Sequence, residues 1–137
     1  MMNRRTLLTA LPASSFFIAT PAQASITDPV VPLYHEWLAA NAEWKRLGEI
    51  PGNEDFDSPE SIRAEHRADA ALYAMIELTP TSAEGMAALV HVLWSLEGPC
   101  FRADQPEYLA ECEYPGNKVL FSLWRATSGR SEHPKMA

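Results

Sequence analysis

His66 and Asp69 are the pair of side chains in this sequence whose types and spacing most nearly suggest chemistry. They lie about one helical turn apart, close enough for a carboxylate to hydrogen-bond an imidazole and fix its tautomer, as an acid–base or metal-binding pair requires. Ile62, His66, Asp69, Tyr73 and Ile76 recur on one helical face. That pattern is more simply a helix–helix contact with a polar pair on the surface. Neither a repeated Glu-x-x-His nor a His-Glu-x-x-His motif accompanies the pair. His35 and His91 fall on the polar sides of their segments, and His133 lies near the C-terminus. A metal-binding protein or enzyme centred on His66 and Asp69 is therefore the alternative reading. No metal, cofactor or catalytic residue is assigned.

Cys100 and Cys112 are the only cysteines. In an oxidising compartment an even number within one loop predicts a disulfide, and closing so short a loop is worth ~3 kcal/mol in the chain-entropy model. Two separate buried thiols are the other possibility. The spacing is not that of a Cys-x-x-Cys redox pair, and two cysteines without further ligands do not make a zinc finger. Asn53 to Asp57 begins like a calcium loop, but Ser58 stands where glycine is needed and Ala64 where the bidentate glutamate belongs. There is no phosphate-binding glycine loop and no Gly-x-Ser-x-Gly elbow. Trp37, Trp44, Trp94 and Trp124 each fall in a helical segment, as core or interface anchors would.

Four helices would position these residues. The first opens at Asp28-Pro29, a cap followed by proline, and closes at Leu47-Gly48, with Leu33, Trp37, Ala40, Trp44 and Leu47 as its stripe. The second opens at Ser58-Pro59-Glu60 and ends near Leu78, with Ala64, Ala68, Ala71, Met75 and Leu78 inward. Thr81 and Glu84 form a capping-box pattern for the third, which runs to Glu97 with a stripe of Met86, Leu89, Leu93 and Leu96. Asn117 is expected to cap the fourth, with Val119, Leu120, Leu123 and Trp124 as its apolar residues and Gly129 at its end. No window alternates with period two. The fold class is all-α: an antiparallel helical hairpin plus two shorter helices, a small three- to four-helix bundle. Alanines at the start of the second helix would face Trp44, while Met75 and Ile76 would face Leu33 and Trp37. Trp94 and Tyr73 fall off the stripes, and such surplus apolar surface must be covered by the fourth helix or by another subunit.

The N-terminus reads as an address. Arg4 and Arg5 precede an apolar stretch from Leu7 to Thr20, and Ala22-Gln23-Ala24 supplies a small-x-small cleavage pattern before Ser25. Asn3-Arg4-Arg5-Thr6-Leu7-Leu8 also has the paired arginines of a twin-arginine signal. The expected organisation is an export signal over residues 1–24, one helical domain over 25–129, and a flexible tail over 130–137. This implies passage through the twin-arginine export machinery to the periplasm. An uncleaved N-terminus on a cytoplasmic accessory protein is the competing possibility.

Composition sets the outer bounds. The 137 residues allow one small domain, and 11 prolines exclude a single long coiled coil. The formal charge of −7 disfavours nucleic acid and anionic membrane surfaces as partners. No apolar run reaches the ~20 residues needed to span a bilayer, so stable membrane insertion is not expected.

The chain also resembles a group of small uncharacterised alphaproteobacterial proteins. The likeness rests on the Asn-Arg-Arg-Thr-Leu-Leu start, on Leu33-Tyr34-His35-Glu36-Trp37, and on Pro80-Thr81-Ser82-Ala83-Glu84-Gly85-Met86-Ala87-Ala88. It covers roughly Met2 to Leu93 and departs at Leu89, where the group has lysine; both cysteines lie outside it. The resemblance implies an exported helical protein and carries over no functional residue. The expectation is a protein-interaction or self-associating module, its partner another protein or a second copy.

Overall fold

The structure is a computed structural model and describes residues 27–135. Arg4, Arg5, Ala24 and Ser25 lie outside the described residues. Five helices follow in order: α1 (Val30–Gly48), α2 (Pro59–Ile76), α3 (Ala83–Glu97), α4 (Pro106–Cys112) and α5 (Pro115–Ser128). The fold is all-α, with no strand among the described residues.

α1 and α2 form the hairpin, and their pairing is the most extensive in the molecule. Ser58 caps α2 by accepting from the Ser61 amide at 3.1 Å. The connecting loop is folded by Asn53, which donates to the Leu47 carbonyl at 2.8 Å and to Ser61 Oγ at 2.9 Å, and accepts from the Ser58 amide at 3.1 Å. The stripes of both helices point inward over most of their length, while Ile76, expected to face Leu33 and Trp37, is exposed. Val30, Trp37, Ala40, Ala68, Ala71 and Met75 form one core cluster, joined by Ala88 and Val92 from α3. Alanine on α2 lets the helices approach closely, and Trp37 and Met75 fill the space this leaves. α2 stops at Ile76, and Leu78 lies at the surface. Trp44 is only half-buried, stacked on Phe56 at 3.9 Å between ring centres.

Asp28 fastens the start of α1 to the start of α3. Its Oδ1 accepts from the Val30 amide at 2.9 Å, the predicted cap contact. Its Oδ2 accepts from the Thr81 amide at 2.6 Å, the Ser82 amide at 2.7 Å and Ser82 Oγ at 2.8 Å. Burial opposes ionisation here, yet the hydrogen bonds from Val30, Ser82 and Thr81 together outweigh it and hold the carboxyl below its usual range. The expected Thr81–Glu84 capping box does not form. Thr81 gives its amide to Asp28, and Ser82 caps α3 by accepting from the Gly85 amide at 3.0 Å.

The second half departs further from expectation. On α3 most of the predicted stripe faces outward: Met86, Leu93 and Leu96 are exposed and only Leu89 packs against the first cluster, while Ala87, Ala88, His91, Val92 and Trp94 are buried. α3 has two helical neighbours, α1 and α5, so its inner surface is wider than one stripe and displaced from it. An unpredicted helix, α4, occupies the segment read as an acidic loop; Pro106 and Glu107 open it. It closes a second cluster of Trp94, Tyr108 and Cys112 with Leu120 and Phe121 packed alongside. α5 begins at Pro115, so Asn117 is no cap: it is buried within the first turn and donates to the Glu111 carbonyl at 2.8 Å. Gly129, at φ +69°, ends α5 in the left-handed conformation as predicted.

The disulfide expectation is corrected. Cys100 and Cys112 are both free thiols. α4 turns Cys112 inward beside Trp94 and Tyr108, whereas Cys100 lies in an exposed loop whose backbone is tied to Glu111. Burial pushes the Cys112 thiol up, while Tyr108, pushed up to about 12 by burial, shares a hydrogen bond with it. Residues 130–135, read as the start of a tail, make contacts with the helices. Pro134 is buried, and His133 stacks on Trp94 at 5.4 Å and lies 4.0 Å from Phe121 between ring centres.

Candidate functional site

The described segment of the tail crosses the junction of α1, α3 and α5, and several ionisable groups converge there. α1 contributes Tyr34 and His35, α3 contributes His91, α5 contributes Trp124, and the tail contributes Arg130 and Lys135. Tyr34 Oη lies 2.5 Å from His91 Nδ1, and His91 Nε2 is hydrogen-bonded to the Lys135 carbonyl. A carbonyl only accepts, so Nε2 carries the proton. The neutral ring then accepts at Nδ1, and the Tyr34 hydroxyl is the donor. Burial lowers the His91 pKa; the Lys135 carbonyl opposes this, and Arg130 adds to it. Burial raises the Tyr34 pKa against the pull of Arg130. Both nitrogens of His91 are thus committed, and the pair works as a latch that binds the tail to α1 and α3. Trp124 adds a second fastening by donating from Nε1 to the Glu132 carbonyl at 2.9 Å.

A cleft of about 710 Å³ opens beside this latch. A smaller one of about 290 Å³, reaching Glu84 and Thr127, shares Tyr34, His35, Trp124 and Arg130 with it. The Arg130 guanidinium lies over the Trp124 ring, 5.5 Å from its centre. Neither Tyr34 nor Arg130 was singled out from the sequence. His91, expected on the polar side of its helix, is buried; the signal for this is its place within the apolar run Leu89-Val90-His91-Val92-Leu93.

His66 and Asp69 are placed elsewhere. Both are exposed on the outer side of α2, and no hydrogen bond joins them. Ile62, Tyr73 and Ile76 are exposed on the same helix. Among the described residues, no group of three histidine, cysteine, aspartate or glutamate side chains is arranged to hold a metal ion.

A second candidate is a surface. Met86, Leu93 and Leu96 on α3 and Val119 and Leu123 on α5 are exposed. Met86 shares a shallow cleft with Ala126, and Leu93 shares another with Val119, so the two helices run antiparallel with their apolar residues along one face. No described helix is long and apolar enough to cross a membrane. In comparisons with known proteins, the chain matches no protein family, no curated protein and no solved structure.

Proposed function

We propose that the chain is an exported helical protein that acts by association, pairing with a second copy of itself through the outer face of α3 and α5. The observation that carries this reading is the displaced stripe of α3. Met86, Leu93 and Leu96 recur with helical period yet face away from both clusters of the fold, next to Val119 and Leu123. Contiguous apolar surface of this kind marks an interaction site. Charge favours a second copy as the occupant. α3 carries the acidic residues Glu84 and Glu97 and neither lysine nor arginine, and α5 carries Arg125, together with Lys118 paired to Glu113 at 2.9 Å, and no acidic residue. A two-fold axis along the helices lays α3 of one copy over α5 of the other, and opposite charges then meet. Export rests on Arg4, Arg5 and the Ala24–Ser25 junction, and the alphaproteobacterial resemblance agrees with it. The twin-arginine machinery is the proposed route and the periplasm the destination.

Sedimentation equilibrium at several concentrations tests the pairing. A dimer is expected, reduced to monomer by the double variant Leu93→Glu, Leu123→Glu with its circular dichroism unchanged. A strict monomer at every concentration, or a double variant that still dimerises, overturns it. The export reading is checked separately by the mass of the protein recovered from cells, which should begin at Ser25; an intact N-terminus counts against it.

A further inference from the structure

We propose that the cleft beside His91 binds a small carboxylate with a flat apolar body, and that Arg130 is the residue that takes its charge. Three observations converge. The first is the pairing of the arginines. Arg63 is bonded to Glu60, Arg67 to Glu36 and Glu43, and Arg102 to Asp104, in ion pairs of 2.7–2.9 Å. The Arg130 guanidinium has no such partner among the described carboxylates; Arg46 and Arg125 have none either, but of the three only Arg130 borders the clefts beside His91.

The second is that Arg130 is held in position. Gly129 turns the chain at φ +69°, the Arg130 amide donates to Ser128 Oγ at 3.2 Å, and the guanidinium lies over Trp124. One face of the planar group is taken by the ring, and its edge remains to offer two parallel N–H donors. Two oxygens of a carboxylate match that fork.

The third is the lining. Arg130 borders both clefts; Glu84 lines the smaller one, which leaves the larger as the place of the anion. Tyr34, Trp124, Leu38 and Pro134 supply apolar walls, and Lys135 and His35 add donors. Glu132 is the acidic residue of the larger cleft, and it disfavours a dianion such as phosphate more than a monoanion. The cleft therefore selects single negative charge on an apolar frame. The larger cleft shares no lining residue with the α3–α5 surface, so this inference stands independently of self-association.

Titration of the full chain with sodium benzoate, followed by the indole N–H resonance of Trp124, tests the assignment. Benzylamine and inorganic phosphate serve as comparison probes. Saturable movement of the Trp124 signal by benzoate is expected, with benzylamine inert and phosphate weaker. Arg130→Met should weaken benzoate at least about tenfold, the loss of one charge-assisted contact. Arg130→Lys keeps the charge but loses the fork; it should weaken binding several-fold, and it carries the test if Arg130→Met fails to fold. Absence of saturable movement, equal affinity in the tested Arg130 variant, or phosphate binding as tightly as benzoate would each overturn the proposal.

Discussion

Between α1 and α2 the helices meet over Ala40, Ala68 and Ala71, with Trp37 and Met75 filling the space beside them. Around α3, α4, α5 and the tail, the contacts are made by rings instead: Trp94 against Phe121 and His133, Tyr108 against His133, His91 against Trp124. The hairpin closes because small residues permit close approach. The other half closes because large residues from four segments, one of them the tail, share a common volume. A two-helix contact needs only one stripe per helix, while a ring cluster needs every contributor present at once. The second arrangement is therefore the more vulnerable to a single loss.

Deletion of Trp94 should show this most strongly. Trp94 is fully buried, and Trp94→Ala should cost ~3–5 kcal/mol. In hydrogen exchange the amides of α4 and of residues 130–135 should lose protection before those of α1 and α2. Equal loss in both halves would break the distinction. Trp94→Phe should cost less than half as much, because it also removes an indole N–H that has no partner among the described residues.

Acid separates the two halves by a second route. His91 and His133 are both held below the ordinary histidine value of 6.5, in each case chiefly through burial. Lys135 opposes this at His91 and Glu113 opposes it at His133, while Arg130 reinforces it at His91. The unfolded chain takes up protons at higher pH than the folded chain, so stability is complete above 6.5 and is lost as pH falls through the folded values. Asp28 acts with the same sign in a lower window. Its carboxyl is held below 3.8, so its contribution is present above 3.8 and is lost below it. Thermal melts should therefore show one drop as pH falls below 6.5 and another as it falls below 3.8. His91→Gln should diminish the first and leave the second; Asp28→Asn should do the reverse.

The smallest effect is expected on the outward stripe. Leu96 is 57% exposed, and Leu96→Ser should change the stability of dilute protein by no more than about 0.5 kcal/mol. Met75→Ala, at a fully buried position of the hairpin, should cost ~2–5 kcal/mol. On sequence pattern alone, the leucine and the methionine hold equivalent stripe positions.

That equivalence shows where the sequence was readable. α1 and α2 have one dominant helical neighbour each, so period and punctuation placed their ends and inner faces within a residue or two. α3 lies between α1 and α5, and its leucines could not reveal that small residues, Ala87 and Ala88, would face inward. Pro106 and Glu107 were a legible helix start, masked by the surrounding acidic residues and cysteines. The latch was hidden for a different reason. His91, Tyr34 and Lys135 are distant in sequence, and no local spacing announces a contact between an imidazole and a backbone carbonyl 44 residues away. The disulfide expectation failed on the same ground, because loop length does not tell which way α4 turns its cysteine.

The clasp at Asp28 also constrains how this chain can change over generations. A methyl group at position 85 would sit 2.2 Å from an Asp28 carboxylate oxygen. Replacing the glycine thus forces the acid aside, and the acid holds the amides of Thr81 and Ser82. Loss of Asp28 would free position 85 for alanine, a better helix former, while leaving those amides without their acceptor. The two positions, far apart in the chain, are bound to drift together or not at all.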